Sequence, residues 1–296
     1  MPSSKNRISF KRIVLFTLYS VSLIVLFYYL YDGFNYYSTP FLERAHHPDH
    51  QAIKPGGIRG HGLGIIGTLM MLLLLTYSLR KKNILFGNIG KIGNWLDFHI
   101  FLGIMGPLFV ILHSAFKLNG IVAISFWSMI SVALSGILGR YLYMQIPRNI
   151  SGHELNLKDL ENTNNKILLE IESDYSVNRT DVDKFETMIV GSLDANRSEL
   201  YILVSFLLAD LFRFFRVKKV GKILRRSTRL SKRQIRILIG LMKKKAYIHR
   251  RLILWNKIHQ LFHYWHVFHK PFAFIMYFIM VVHVALTIFF GYTWIF

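Results

Sequence analysis

The stretch that decides the fold lies at residues 95–117, which read WLDFHIFLGIMGPLFVILHSAFK. A helix needs about 20 mostly apolar residues to cross a lipid bilayer, and this stretch is long enough. It also carries two histidines fourteen residues apart, His99 and His113. Because an ionisable ring is costly inside hydrocarbon, each histidine needs a partner there. The stretch therefore predicts a membrane helix whose two imidazoles have a functional task.

The whole chain has the composition of an integral membrane protein. Of its 296 residues, 52% are hydrophobic and only 18% are charged, which argues against the soluble, disordered and fibrous classes. Cysteine is absent, so the chain alone cannot form disulfides, Fe–S clusters or thiolate zinc sites. The apolar stretches predict an all-α bundle of about five transmembrane helices, at about 12–31, 61–79, 95–117, 121–144 and 268–292.

The short flanks of these helices predict their orientation, because Lys and Arg accumulate on the cytoplasmic side. Basic residues occur at the N-terminus, at Arg80–Lys82 and after Arg140. We therefore expect an integral protein of the bacterial cytoplasmic membrane with its N-terminus inside. Residues 32–60 and the C-terminus then lie outside, and helices three and five run in the same direction.

The chain divides into three parts: residues 1–147 with helices one to four, a cytoplasmic helical insert at 148–262, and residues 263–296 with helix five. Residues 151–210 carry twelve of the sixteen acidic residues, whereas 211–260 carry seventeen Lys or Arg and no acid. The basic half predicts either contact with anionic lipid headgroups or docking of an acidic redox partner. A nucleic-acid partner is not expected at this apolar content.

A second histidine pair repeats the spacing of the first, with His269 and His283 on helix five. Fourteen residues span about 21 Å of helix and return the second ring to within about 40° of the first. With helices three and five parallel, His99 meets His269 near the cytoplasmic level and His113 meets His283 near the outer level. Two stacked iron porphyrins, each held between two imidazoles, fit this arrangement. Another metal, hydrogen bonding between helices and a proton path are the alternatives.

Small residues lie on the same helix faces as these histidines. Gly103 and Gly106 are on the histidine stripe of helix three, where they predict a smooth trough for a porphyrin, with close helix packing as the alternative. The matching stripe of helix five carries Ala273, Met276 and Met280.

Anionic haem propionates favour basic partners near the membrane surfaces. We expect Arg140 to serve the inner site and Arg59 or Lys117 the outer site, although ordinary interfacial anchoring explains each of them equally well.

Other histidines are secondary candidates. His61 and His266 are additional candidate ligands, and His61 is also placed to contact a quinone. The outer segment HHPDH at residues 46–50 is either a metal or acceptor site or an exposed polar loop.

The spacings His99-x13-His113 and His269-x13-His283, with the block WHVFHKP at 265–271, resemble the bis-haem helices of membrane b-type cytochromes, particularly the ferric-reductase-like transmembrane group. The resemblance covers helices three to five. It implies two haems b ligated by these four histidines, and electron transfer as the cytochrome b subunit of a quinone-linked or partner-linked oxidoreductase.

The chain departs from that family in its large insert, and it carries no Gly-rich fingerprint of a flavin or nicotinamide module. A partner subunit, a soluble electron carrier or a quinol is therefore expected to supply electrons. The alternatives are a self-contained ferric or metal reductase and, in another class, a non-redox transporter or membrane assembly scaffold with structural histidines.

Overall fold

The computed structural model describes residues 10–87, 89–117, 119–146, 155–191, 197–228 and 230–291. Within these ranges the chain forms helices and no strand, which confirms the all-α prediction. The α-helices are α1 (Phe10–Asp32), α2 (Phe34–Ser38), α3 (His50–Ile53), α4 (Ile58–Leu73), α5 (Leu75–Lys81), α6 (Ile92–His113), α7 (Ile121–Gln145), α8 (Leu157–Tyr175), α9 (Arg179–Val190), α10 (Glu199–Leu211), α11 (Arg213–Ser227), α12 (Lys232–Ile253) and α13 (Trp255–Phe289).

Five described segments are long and apolar enough to cross a membrane, as the sequence predicted: Phe10–Asp32, His50–Lys81, Ile92–His113, Ile121–Gln145 and Trp255–Phe289. Their ends differ from the predicted ones. The third spanning helix, α6, ends at His113 rather than at 117, because Ala115 and Phe116 adopt left-handed backbone conformations. The last helix begins at Trp255, thirteen residues before the predicted start of helix five.

The chain forms two compact units, one made of residues up to Ile137 together with those from Phe268 onward, the other of Leu138–Val267. The second unit is wider than the predicted insert of 148–262. The reason is apolar packing of α10 against the last turns of α7 and the beginning of α13. This cluster consists of Leu142, Ile146, Ile202, Phe206, Leu254, Ile258 and Leu261.

The most extensive helix packing in the first unit joins α4 to α6. Glycines allow the close approach: a methyl group at Gly67 would lie 2.7 Å from Cγ2 of Val110, and one at Gly106 would lie 3.1 Å from Sδ of Met71. Gly106 therefore serves helix packing, the alternative that the sequence left open. That Gly103 and Gly106 also border a porphyrin stays a prediction.

Helices α6 and α13 run in the same direction, as predicted. Met71 of α4 marks a common level, because its carbonyl accepts a hydrogen bond of 2.6 Å from the Tyr277 hydroxyl of α13 and its side chain lies against Gly106 of α6. From this level each helix continues for about two turns to a histidine, His113 on α6 and His283 on α13, and the centres of the two rings lie 6.5 Å apart.

In the second unit, α8, α9, α11 and α12 share one apolar core, to which α8 contributes the buried Leu160, Ile167, Leu168 and Ile171. A buried ion pair crosses this core. Lys245 of α12, only 3% exposed, donates to the carboxylate of Glu186 of α9, which is 5% exposed. Because a buried charge is tolerated only with a partner, this pair fixes α9 against α12.

A second buried network fixes α10 in place. Arg250 of α12 donates 2.8 Å to Oδ1 of Asp210 and 2.9 Å to Oε1 of Gln145, and the Tyr141 hydroxyl donates 2.7 Å to Oδ2 of Asp210. Burial alone would raise the pKa of Asp210, but the hydrogen bonds from Arg250 and Tyr141 outweigh burial and hold that pKa below its usual value. The carboxylate therefore stays ionised between its partners at neutral pH.

Candidate metal centre

His113 and His283 are brought together as the sequence predicted for the outer level. Their ring centres lie 6.5 Å apart and the ring planes are inclined by 59°. Two imidazoles bound to one metal by bonds of about 2 Å, with about 1.2 Å from each ring centre to its ligating nitrogen, have centres about 6.4 Å apart when the bonds are collinear. The separation therefore suits two axial ligands of one metal ion.

A backbone carbonyl of α4 orients the His113 ring. Nδ1 of His113 lies 2.8 Å from the carbonyl oxygen of Gly60, and since a carbonyl only accepts, Nδ1 carries the proton and donates it. The lone pair is then on Nε2, which is the nitrogen that a metal takes when the other one is engaged in this way. Gly64 gives the ring its space, because a methyl group there would lie 2.6 Å from Nδ1.

The other predicted pair is oriented in the same manner. Nδ1 of His99 donates 3.1 Å to the carbonyl oxygen of Leu74. Nδ1 of His269 lies 2.7 Å from Oγ of Ser135, whose own proton goes 2.9 Å to the carbonyl of Val132. Ser135 therefore accepts, and Nδ1 of His269 is the donor. Binding of His99 and His269 to one metal stays a prediction.

An apolar cavity of about 870 Å³ lies beside the outer pair. Its wall contains both histidine rings, His61, the cation of Lys117 and, from α13, Met276 and Met280. Pockets for small molecules and cofactors typically measure about 300–1,000 Å³. The cavity is therefore large enough for a cofactor, and its few polar groups are imidazoles, hydroxyls and one amine.

The outer site offers two imidazoles to a metal. In the described part of the chain, no three His, Asp or Glu side chains converge as they do around a metal ion held by protein alone. A haem iron needs only two axial ligands from the protein, because the porphyrin occupies its other positions. The two imidazoles, the apolar wall and the Lys117 cation all fit such a group.

The three predicted propionate partners have other contacts. Nζ of Lys117 lies 5.6 Å from the ring centre of Phe41. Arg59 forms an ion pair with Asp32 at the C-terminal end of α1. The guanidinium carbon of Arg140 lies 5.8 Å from the ring centre of Tyr143, one turn further along α7. A role of these residues toward propionates stays a prediction.

Two of the secondary histidines, His266 and His50, have hydrogen-bond partners. Nδ1 of His266 donates 3.0 Å to the carbonyl of Phe262 in the preceding turn of α13. In the outer segment 46–50, Nδ1 of His50 lies 3.1 Å from the Tyr36 hydroxyl. This segment is described throughout, and its side chains form no group of three candidate metal ligands. A metal or acceptor site at 46–50 stays a prediction.

The groups that orient the histidines were missed by sequence reasoning. Gly60 and Leu74 act through their carbonyl oxygens, and no side chain marks such a role. Gly64 belongs to the motif GHGLGIIG at 60–67, whose repeated glycines were a usable signal for close contact with another helix. Ser135 is a polar residue within an apolar helix, which was a weaker signal.

Comparison of the chain with protein-family models found no matching family, and comparisons with curated proteins and with solved structures found no match either. The resemblance to b-type cytochromes therefore depends on the histidine spacing and the adjoining motif alone.

Proposed function

We propose that this protein is a membrane cytochrome b that transfers electrons across a bilayer through two haems b. His113 and His283 would hold the outer haem through their imidazole nitrogens, and His99 and His269 would hold the inner haem. The haems supply reversible one-electron chemistry. The chain acts as the electron-transfer subunit of a quinone-linked or partner-linked oxidoreductase rather than as a complete enzyme.

The observation that carries this proposal is the meeting of His113 and His283 at 6.5 Å beside the apolar cavity. The Nδ1 hydrogen bond of His113 supports it, because it leaves the Nε2 lone pair for ligation in the neutral ring. Neutral imidazoles also remove the cost of a buried charge within the membrane.

The chain's own residues have distinct tasks in this function. The carbonyls of Gly60 and Leu74 and the hydroxyl of Ser135 orient the ligand rings and raise their basicity. The apolar cavity wall keeps water from the iron, which helps to set its potential. Lys117, which borders the cavity and has its Nζ 5.6 Å from the ring centre of Phe41, would supply the cation that pairs with a propionate of the outer haem.

We further propose that the protein lies in the bacterial cytoplasmic membrane with its N-terminus and the insert in the cytoplasm. The support is the distribution of Lys and Arg near the ends of the spanning helices. Electrons come from a partner subunit, a soluble carrier or a quinol, and His61 in the cavity wall is a candidate quinone contact.

The test is haem analysis of the purified full-length protein by reduced-minus-oxidised spectra and pyridine haemochrome stoichiometry. We expect b-type spectra and two haems per chain. His113→Ala and His283→Ala should each remove the outer haem, and His99→Ala and His269→Ala the inner one. The exposed His263→Ala serves as the matched control and should retain both.

Retention of two low-spin haems by all four variants would overturn the ligand assignment. Absence of a b-type spectrum despite adequate haem supply would favour the non-redox transporter or scaffold. Co-purification of a redox subunit distinguishes a partner-linked cytochrome from a self-contained metal reductase.

A further inference from the structure

Helix α10 is apolar on two opposite faces. One face is buried, and its Ile202 and Phe206 pack in the cluster with the ends of α7 and α13. The opposite face is exposed and forms an i, i+4, i+7, i+8, i+11 stripe. Its residues are Leu200, Val204, Leu207, Leu208 and Leu211, with exposed fractions from 44% to 72%. A helix facing water carries polar residues on its outer side, so this outer stripe is unusual for an aqueous surface.

The partners of the buried face place α10 near the end of a membrane span. Leu142 and Ile146, which touch it, belong to or directly follow the last turn of α7, one of the apolar spanning segments. The Asp210 carboxylate at the other end of α10 accepts from Tyr141 in the same turns of α7. The buried face of α10 is therefore packed on the last turns of a segment that is long and apolar enough to span a membrane, and the exposed stripe lies on the opposite side of α10.

The chain that follows α10 combines aromatic and basic side chains. Phe212, Phe214 and Phe215 are exposed by 47% to 71%. Further along α11, Lys218, Lys219 and Lys222 are exposed, and residues 211–260 contain no acid to neutralise them. An apolar stripe with aromatic residues and an adjoining cationic surface is typical of helices that lie in the interface of an anionic membrane.

We propose that α10 and the first turn of α11 lie flat in the headgroup region of an anionic lipid leaflet, with the α10 stripe in contact with acyl chains. The exposed lysines of α11 contact the phosphates of anionic headgroups. The occupant of this surface is the bilayer itself rather than a protein partner, because α10 packs against the end of a candidate membrane span and residues 211–260 carry seventeen Lys or Arg and no acid.

Site-specific labelling tests the position of α10, and the natural absence of cysteine allows it without background. Leu207→Cys carries a nitroxide in the exposed stripe. Leu169→Cys replaces an exposed leucine of α8 (63% exposed, against 44% for Leu207) and is the matched control. Both proteins are reconstituted at full length in nanodiscs of phosphatidylglycerol and phosphatidylcholine, and collisional relaxation by oxygen and by a water-soluble nickel chelate is measured.

We expect the label at 207 to be several-fold more accessible to oxygen than to the nickel chelate, and the label at 169 to show the reverse. Equal exposure of both labels to the chelate would overturn the proposal. Shielding of the label at 207 from both relaxants would overturn it in favour of a protein partner. Because these readouts do not depend on haem content, their failure is distinguishable from failure of the proposed electron transfer.

The lipid class is tested with the charge variant Lys218→Gln/Lys219→Gln/Lys222→Gln. Native mass spectrometry of protein released from mixed nanodiscs should show phosphatidylglycerol retained in preference to phosphatidylcholine, and several-fold less of it retained by the variant. Equal retention of the two lipids by the unmodified protein would contradict the assignment to anionic headgroups. Competition by inorganic phosphate alone would indicate a free-anion site and would also contradict it.

Discussion

Replacing Gly64 with alanine displaces the His113 ring without replacing any proposed haem ligand. The added methyl group would lie 2.6 Å from Nδ1 of His113, 2.7 Å from Cε1 and 2.9 Å from Cγ. Ordinary contact begins at 3.4 Å, so the ring must move from 2.6 to at least 3.4 Å, a shift of about 0.8 Å. Metal–ligand bonds tolerate deviations of only about 0.2 Å, so a shift of this size displaces Nε2 from the iron unless the backbones of α4 and α6 separate.

We expect the Gly64→Ala protein to bind one haem per chain instead of two, measured by pyridine haemochrome on purified protein of known concentration. Two glycines provide controls. A methyl group at Gly67 would meet a side chain of the same helix pair, Val110, at 2.7 Å, so Gly67→Ala perturbs the α4–α6 packing away from the ligand. One at Gly93, in the first turn of α6, would meet nothing within 4 Å.

Both control variants should retain two haems. If Gly64→Ala also retains two haems with an unchanged spectrum, the inference that the space at Gly64 fixes the position of the His113 ring is refuted. If Gly67→Ala loses one haem as readily, helix packing in general, rather than the orientation of His113, controls haem binding.

Three further predictions address other parts of the structure. Ser135→Ala removes the acceptor that orients His269 and should lower inner-haem affinity by about 10–100-fold, measured by haem transfer to an apo-acceptor, with no effect on the outer haem. The pKa of Asp210 in the folded protein lies below its unfolded value of about 3.9. The stability that Asp210 contributes is therefore present above about pH 3.9 and is lost as the pH falls through the folded-state pKa. Thermal midpoints between about pH 5 and 3 should fall more steeply for the unmodified protein than for Asp210→Asn. Lys245→Met removes the buried ammonium partner of Glu186 and leaves that carboxylate with the more exposed His249 ring, 3.2 Å from Oε1; it should cost up to about 3–5 kcal/mol in denaturant unfolding, whereas Lys244→Met at an exposed position should cost little.

The membrane spans and the pairing of His113 with His283 were predictable because each depends on a simple pattern along the sequence. Apolar length identifies a spanning helix directly, and the recurrence of histidine at fourteen residues fixes a helix face. The common direction of α6 and α13 followed from counting helices and from the charge of their flanks. These three features placed His113 beside His283 without knowledge of the packing partners.

The details that the sequence left open depend on tertiary packing. The role of Gly106 required knowing that α4, rather than a cofactor alone, covers that face of α6. The long start of α13 from Trp255 could not be recognised by hydropathy, because its first turns carry Asn256, Lys257 and His259 and are stabilised by packing against α10 and α7. The carbonyls that orient His99 and His113 are invisible to any analysis of side chains.

A cryo-EM map of the purified protein that resolves side chains tests the central claim most directly. The account predicts planar density between His113 and His283, with iron about 2 Å from Nε2 of each ring, and a second such group between His99 and His269. A map in which the two outer rings touch each other or turn apart, with no planar group between them, would contradict it.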